Sequence, residues 1–238
     1  MRTFTKVRPT MPPSIQAAAY ADTEILFDWY KVEGFKGGSI DSIKVIVRGT
    51  NGAAQTMVGI DLFFATSHIA TLADGVNVDV NVAPATLGTT GAAVDTPGWF
   101  NNLVGYVPVA AGDFNDADLI YLNIANVNLA GEEIPVSGDL YVAAVSKGAL
   151  DFRTTSAVNE TGFAAGVETV ITVDTRDATL NFAPGDVIWA EDDAVLGTIK
   201  TVDSATQITL TKANVDAIAD SDALFNISPI QLILGGTV

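Results

Sequence analysis

His68 is the single imidazole of the sequence, so any Ser-His or Cys-His chemistry would have to run through it. Cysteine is absent, which removes thiolate nucleophiles, disulfides and thiolate metal sites together. Thr66 and Ser67 precede His68, but no serine lies in the G-x-S-x-G elbow that would present a nucleophile above a sheet. His68 therefore reads as a strand-end or loop histidine. Carboxylates are abundant, and a pair of them is all that glycoside hydrolysis requires. Glycosidase clefts are usually lined with aromatic rings as well, whereas the three Trp and five Tyr here are spread over the whole chain. Trp29 and Trp189 fall inside strand-like runs, where core packing is their default role. Trp99, in Thr96-Pro-Gly-Trp-Phe-Asn-Asn102, ends a loop, and with Phe100 it is a candidate partner contact.

For metal chemistry, Asp74-Gly-Val-Asn-Val-Asp-Val-Asn81 sets Asn77, Asp79 and Asn81 at every second position. A calcium loop of the EF-hand kind would not carry its glycine second or Ala85 at position twelve. A solvated edge strand explains the pattern as well. Glu191-Asp-Asp193 and the acidic run from Asp216 to Asp222 read as exposed turns. Neither the G-x-x-x-x-G-K-[ST] phosphate loop nor a G-x-G-x-x-G run is present. Asn159-Glu-Thr161 and Asn226-Ile-Ser228 match the glycosylation sequon, which matters only in a eukaryotic secretory pathway. The sequence thus predicts no catalytic residue, no metal, no cofactor and no enzyme.

Charge sharpens the choice of partner. Twelve Lys and Arg stand against twenty-eight Asp and Glu, a net −16 that repels phosphate backbones, so nucleic acid is not an expected partner. The balance is uneven. Up to Arg48 there are seven basic and five acidic residues, leaving five against twenty-three for the remainder. Met1 to Pro9 lacks the apolar core of a secretory signal and no run approaches 18 apolar residues, so no membrane contact is expected and synthesis in a cytoplasm is.

The elements that would position these residues are strands. Hydrophobic residues make up 48% and charged ones 17% of the chain, enough apolar surface for a core. From Thr23 onward, short β-branched and aromatic runs alternate with Gly, Asn, Asp and Pro. The expected strands are Glu24–Glu33, Ile40–Arg48, Met57–Ala65, Leu103–Val109, Leu119–Ile124 and Leu140–Ser146. Lys44 and Arg48 alternate with apolar neighbours, as on a strand with one wet face, and Gly49-Thr-Asn-Gly52 makes the following turn. Thr66 to Trp99 is a long loop with one strand-like alternation, Val76 to Val82. The polar, small run Thr154 to Gly166 marks a boundary. Beyond it, Phe182–Trp189, Ala194–Val202 and Thr206–Leu210 form a three-stranded meander, Asn214 to Ser221 a short helix and Ile230–Leu234 a closing strand.

The expected organisation is an extended N-terminal arm (1–20), a β-sandwich of jelly-roll type (21–155), a linker (156–166) and a small β-barrel or meander unit (167–238). Arg2, Lys6 and Arg8 with Pro12 and Pro13 give the arm its basic, extended character and make it a candidate contact with a neighbouring subunit.

Gly34-Phe-Lys-Gly-Gly-Ser-Ile-Asp-Ser-Ile-Lys-Val45, Gly59-Ile-Asp-Leu-Phe-Phe64, Leu103-Val-Gly-Tyr-Val107 and Asp139-Leu-Tyr-Val-Ala-Ala-Val-Ser-Lys-Gly148 follow one another in the first unit. In this it resembles a family of β-sandwich virion proteins of tailed bacteriophages. The second unit resembles an accessory module of similar phage proteins, through Pro184-Gly-Asp-Val-Ile188, Gly197-Thr-Ile199 and Ser204-Ala-Thr-Gln-Ile-Thr-Leu210. The resemblance spans most of residues 20 to 212 and brings no catalytic residue with it. It implies a virion structural protein on the particle surface, a capsid decoration or cement protein bound to the major capsid protein or other virion proteins. It also implies a homo-oligomer, with a trimer favoured. The alternative expectation is a tail- or fibre-associated adhesin or carbohydrate-binding module.

Overall fold

The computed structural model describes residues 2–11, 15, 18–35, 37–66, 102–117, 121–154, 156–158, 162–174, 178–190 and 194–237. Among these the fold is all-β, with strands numbered in chain order and arranged in three sheets.

The first sheet is built on β3 (Gly38–Arg48), where Ile43, Val45 and Val47 are buried and Lys44, Ile46 and Arg48 are partly exposed. This is the period-two pattern of a strand with one dry face. β7 (Leu122–Asn128) and the short β8 (Ile134–Val136) pair in tandem along one edge of β3. β16 (Ile230–Thr237) takes the other edge. β1 (Arg2–Val7) pairs with the far side of β16, and β6 (Phe114–Ala117) with the far side of β7.

The second sheet runs in the order β2 (Tyr20–Lys31), β9 (Tyr141–Leu150), β4 (Ile60–Ala65), β5 (Leu103–Val109). A register shift between Ile25 and Phe27 breaks the alternation of β2, so Ile25, Leu26 and Phe27 are buried in succession. Leu26 and Phe27 enter the main core, whereas Ile25 joins Ala143 and Val145 in a separate cluster. The two sheets share that main core. Val45, Val47, Leu232 and Leu234 come from the first, and Phe27, Leu62, Phe64 and Val142 from the second.

The third sheet runs β10 (Ala157–Val158), β11 (Val170–Asp174), β14 (Gln207–Leu210), β13 (Val195–Ser204), β12 (Val187–Ala190), β15 (Leu224–Asn226). A bridge between Ala157 and Ala223, with hydrogen bonds from Val158 N to Asp222 O and from Leu224 N to Ser156 O, joins its two ends. It is nearly closed into a barrel around Val173, Ile188, Leu196 and Ile208.

Four features depart from the sequence expectation. The first residues do not form a free arm over Arg2–Val7, because Thr3, Thr5 and Val7 alternate with Arg2, Phe4 and Lys6 and the segment pairs with β16 of its own chain. Met11 and Ile15 are buried, and Met11 N donates to Ile227 O at 2.8 Å. Ile230–Leu234 does not close the barrel; it lies in the first sheet between β1 and β3. The expected linker is not solvated throughout, since Ser156 and Val158 are fully buried while Gly162, Ala164, Ala165 and Gly166 are exposed. Asn214 to Ser221 forms turns and bends instead of a helix. There the buried Asn214 side chain accepts from Val167 N and Glu168 N and donates to Ala164 O and Asp216 O, outcompeting helical pairing. Among the described residues, Ala111–Asp113 and Ala178–Asn181 are single helical turns.

The turn after β3 formed as expected. Asn51 and Gly52 both have positive φ (55° and 73°), and Ala53 N donates to Thr50 O at 3.1 Å.

β16 fits its central slot through its glycines. A Cβ on Gly236 would lie 2.1 Å from Ser39 O and 2.6 Å from the Phe35 ring, so one strand would have to move. Gly236→Ala is therefore expected to lower stability by roughly 1–3 kcal/mol. Gly37→Ala, where a Cβ would meet nothing within 4 Å, should stay within about 0.5 kcal/mol of the parent. Urea unfolding of the two variants checks the contrast.

Candidate partner-binding face

The outer face of the first sheet can be read row by row from the strand register. Phe4, Gly235, Ser42 and Asn128 lie side by side across β1, β16, β3 and β7. The next row is Lys6, Ile233, Lys44 and Asn126. After it come Gln231, Ile46, Ile124 and Asn115, then Arg48 with Leu122. The centre is therefore aliphatic, Ile233, Ile46 and Ile124 being only partly buried, and cations and amides surround it. Phe4 stands 65% exposed at one end, with the Arg2 guanidinium 5.5 Å from its ring centroid.

Five of the chain's twelve cations sit on this face or at its rim: Arg2, Lys6, Arg8, Lys44 and Arg48. They are not equivalent. Arg2 makes an exposed ion pair with Asp41 at 3.1 Å. Arg8 and Arg48 converge on Asp186, whose side chain is 2% exposed. Arg8 Nη2 donates to Oδ1 at 2.8 Å, Arg48 Nη1 donates to Oδ2, and Ala183 N also donates to Oδ2 at 2.8 Å. Arg8 Nη1 adds a bond to Gly185 O at 2.9 Å. Lys6 and Lys44, in register on either side of Ile233, have no ion pair among the described residues.

The Asp186 clamp ties the first sheet to the third, since Arg8 follows β1, Arg48 ends β3 and Asp186 precedes β12. Further ties run alongside it. Asn51 N donates to Asn181 Oδ1 at 2.6 Å, Arg48 N donates to Pro229 O at 2.9 Å, and Val187, Trp189, Phe225 and Ile227 pack into the core of the first two sheets. Burying one carboxylate between two guanidiniums is tolerable because both of its oxygens are hydrogen-bonded.

Of the candidates taken from sequence, the structure brings Arg2, Lys6 and Arg8 to one face and adds Lys44 and Arg48 to them. Pro12, Pro13, Trp99, Phe100, His68, the 74–81 segment and Glu191 to Asp193 lie outside the described residues. Asp216 and Asp222 serve the backbone, accepting from Val195 N and Ala219 N at 2.8 Å each. Among the described residues no three His, Cys, Asp or Glu side chains are grouped to hold a metal ion. No helix of the described residues is long and apolar enough to cross a membrane. Trp189 packs against the main core, and Trp29 against Ile25, Ala143 and Val145. Asp186 carried no sequence signal beyond its place in a Pro-Gly-Asp turn, since its partners stand 138 and 178 positions away.

No family model matches the chain, and no curated protein is similar to it.

The clamp has a measurable consequence. Asp186→Ala would strand two guanidiniums at the junction and is expected to destabilise the protein by about 3 kcal/mol or more. Arg2→Ala, which breaks only the exposed pair with Asp41, should cost no more than about 1 kcal/mol. Chemical unfolding followed by far-UV circular dichroism separates the two cases.

Proposed function

We propose that the protein is a non-enzymatic structural component of a tailed-phage particle, a decoration or cement protein seated on the major capsid protein or another virion protein. In this reading the first two sheets form a jelly-roll-like β-sandwich, the barrel-like third sheet is a smaller second unit, and the chain works as a homo-oligomer, a trimer being favoured. It is made in the host cytoplasm and resides on the virion surface. The phage assignment rests on the resemblance of the sequence.

The observation that carries the docking role is the outer face of the first sheet. It is a broad strand surface with an aliphatic centre and a rim of cations and amides, on a chain of net charge −16. Such a face is suited to another protein: the aliphatic centre gains from burial, and the lysines select an acidic partner surface. The rest of the molecule is acidic and repels both nucleic acid and like-charged surfaces. The alternative adhesin or carbohydrate-binding reading draws on the β architecture, which serves both readings equally, and on Trp99, which lies outside the described residues.

The test is a Lys6→Glu/Lys44→Glu variant presented to purified heads lacking the protein, with bound copies counted by quantitative mass spectrometry. The parent is expected to bind at a copy number set by lattice symmetry, and the variant on the order of tenfold more weakly. A parent present in only a few copies per particle, or a variant that binds as well as the parent, would contradict the proposal.

A further inference from the structure

Where β1 and β3 end against the third sheet there is a depression of about 370 Å³ whose wall includes Lys6, Arg8, Arg48, Asp186, Asn226 and Ser228. Three cations face one carboxylate there, and that carboxylate is already committed at both oxygens. The local charge is therefore two positive units in excess.

The two buried side-chain groups of this wall that lack a partner among the described residues are both donors. Asn226 is 6% exposed; its Oδ1 accepts from Ser228 N at 2.8 Å, which fixes the amide orientation and leaves Nδ2 buried without a partner among the described residues. Arg8 Nε is likewise buried and unpaired, and Lys6 has no ion pair among the described residues. Buried donors without acceptors are costly, and two of them beside excess positive charge are stabilised by an anion that accepts from them.

We infer that this depression is a binding site for an oxyanion, a phosphate or carboxylate group held by Lys6, Arg8 and Asn226. Two sources supply that chemistry: a free small anion, or an Asp or Glu side chain of a second copy. The region from 157 to 228 carries twelve acidic and three basic residues, so a neighbouring copy presents carboxylates in quantity. The site shares Lys6 with the outer sheet face, but its test needs no phage head and reads phosphate binding alone.

The full-length protein is titrated with inorganic phosphate at constant ionic strength, with chloride as the comparison. At a tenfold excess over Kd, phosphate should raise Tm by roughly 3 °C beyond chloride. The side-chain amide resonance of Asn226 should move with the same midpoint. Lys6→Glu, an exposed substitution, should abolish the phosphate-specific rise, whereas Lys200→Gln on the exposed side of β13 should retain it. Sedimentation velocity with and without phosphate then separates the sources. A species that stays monomeric throughout assigns the site to a free anion, and an oligomer that phosphate dissociates assigns it to a neighbour's carboxylate. The inference is overturned if phosphate and chloride act alike, if Lys6→Glu responds as the parent does, or if the Asn226 resonance stays still.

Discussion

β16 is hydrogen-bonded on both edges, to β1 from the start of the chain and to β3 from its first third. The third sheet is therefore an insertion into the first: the chain leaves the second sheet after β9, builds the barrel-like unit and returns to fill the slot between β1 and β3. The return strand contributes Ile230, Leu232 and Leu234 to the core that both sheets share. Without it β1 has no partner in the sheet, and the outer face is cut between Lys6 and Lys44. The Asp186 clamp sits at the point of re-entry and reaches β1 and β3 at once. The candidate face is held together by these two facts, since the cations that surround it are positioned by strand pairing on one side and by a buried carboxylate on the other.

Local pattern accounted for much of the fold. The alternation in Ser42–Arg48 announced a strand with a wet face, and the Asn51-Gly52 turn was legible because few other residue pairs accept positive φ in succession. The meander of β12, β13 and β14 was legible from its β-branched runs. What stayed hidden was long-range. Ile230–Leu234 reads as a strand, but nothing local says which sheet receives it. Arg2–Val7 alternates with period two, yet its charged residues and the prolines after it favoured an arm. Asn214 to Ser221 has helical composition, and a buried asparagine side chain overrode it.

The candidate face shows the same division. Its residue types were visible as a basic front on an acidic chain, and Lys44 and Arg48 were placed on a wet strand face. Their union into one surface with Arg2, Lys6 and Arg8 depends on β16 lying between β1 and β3, a pairing that sequence spacing does not encode. The absence of recognisable catalytic motifs was readable directly, from a single histidine and no cysteine.

The shared core and the return of β16 require the three sheets to unfold as one body. Native-state hydrogen exchange in increasing urea tests this most directly, by following amides of Val45 and Leu232 in the first sheet beside those of Ile188 and Ile208 in the third. All four are expected to converge on one global opening with a common denaturant dependence. Third-sheet amides that exchange through a separate, lower-energy opening, while Val45 and Leu232 keep their protection, would contradict it.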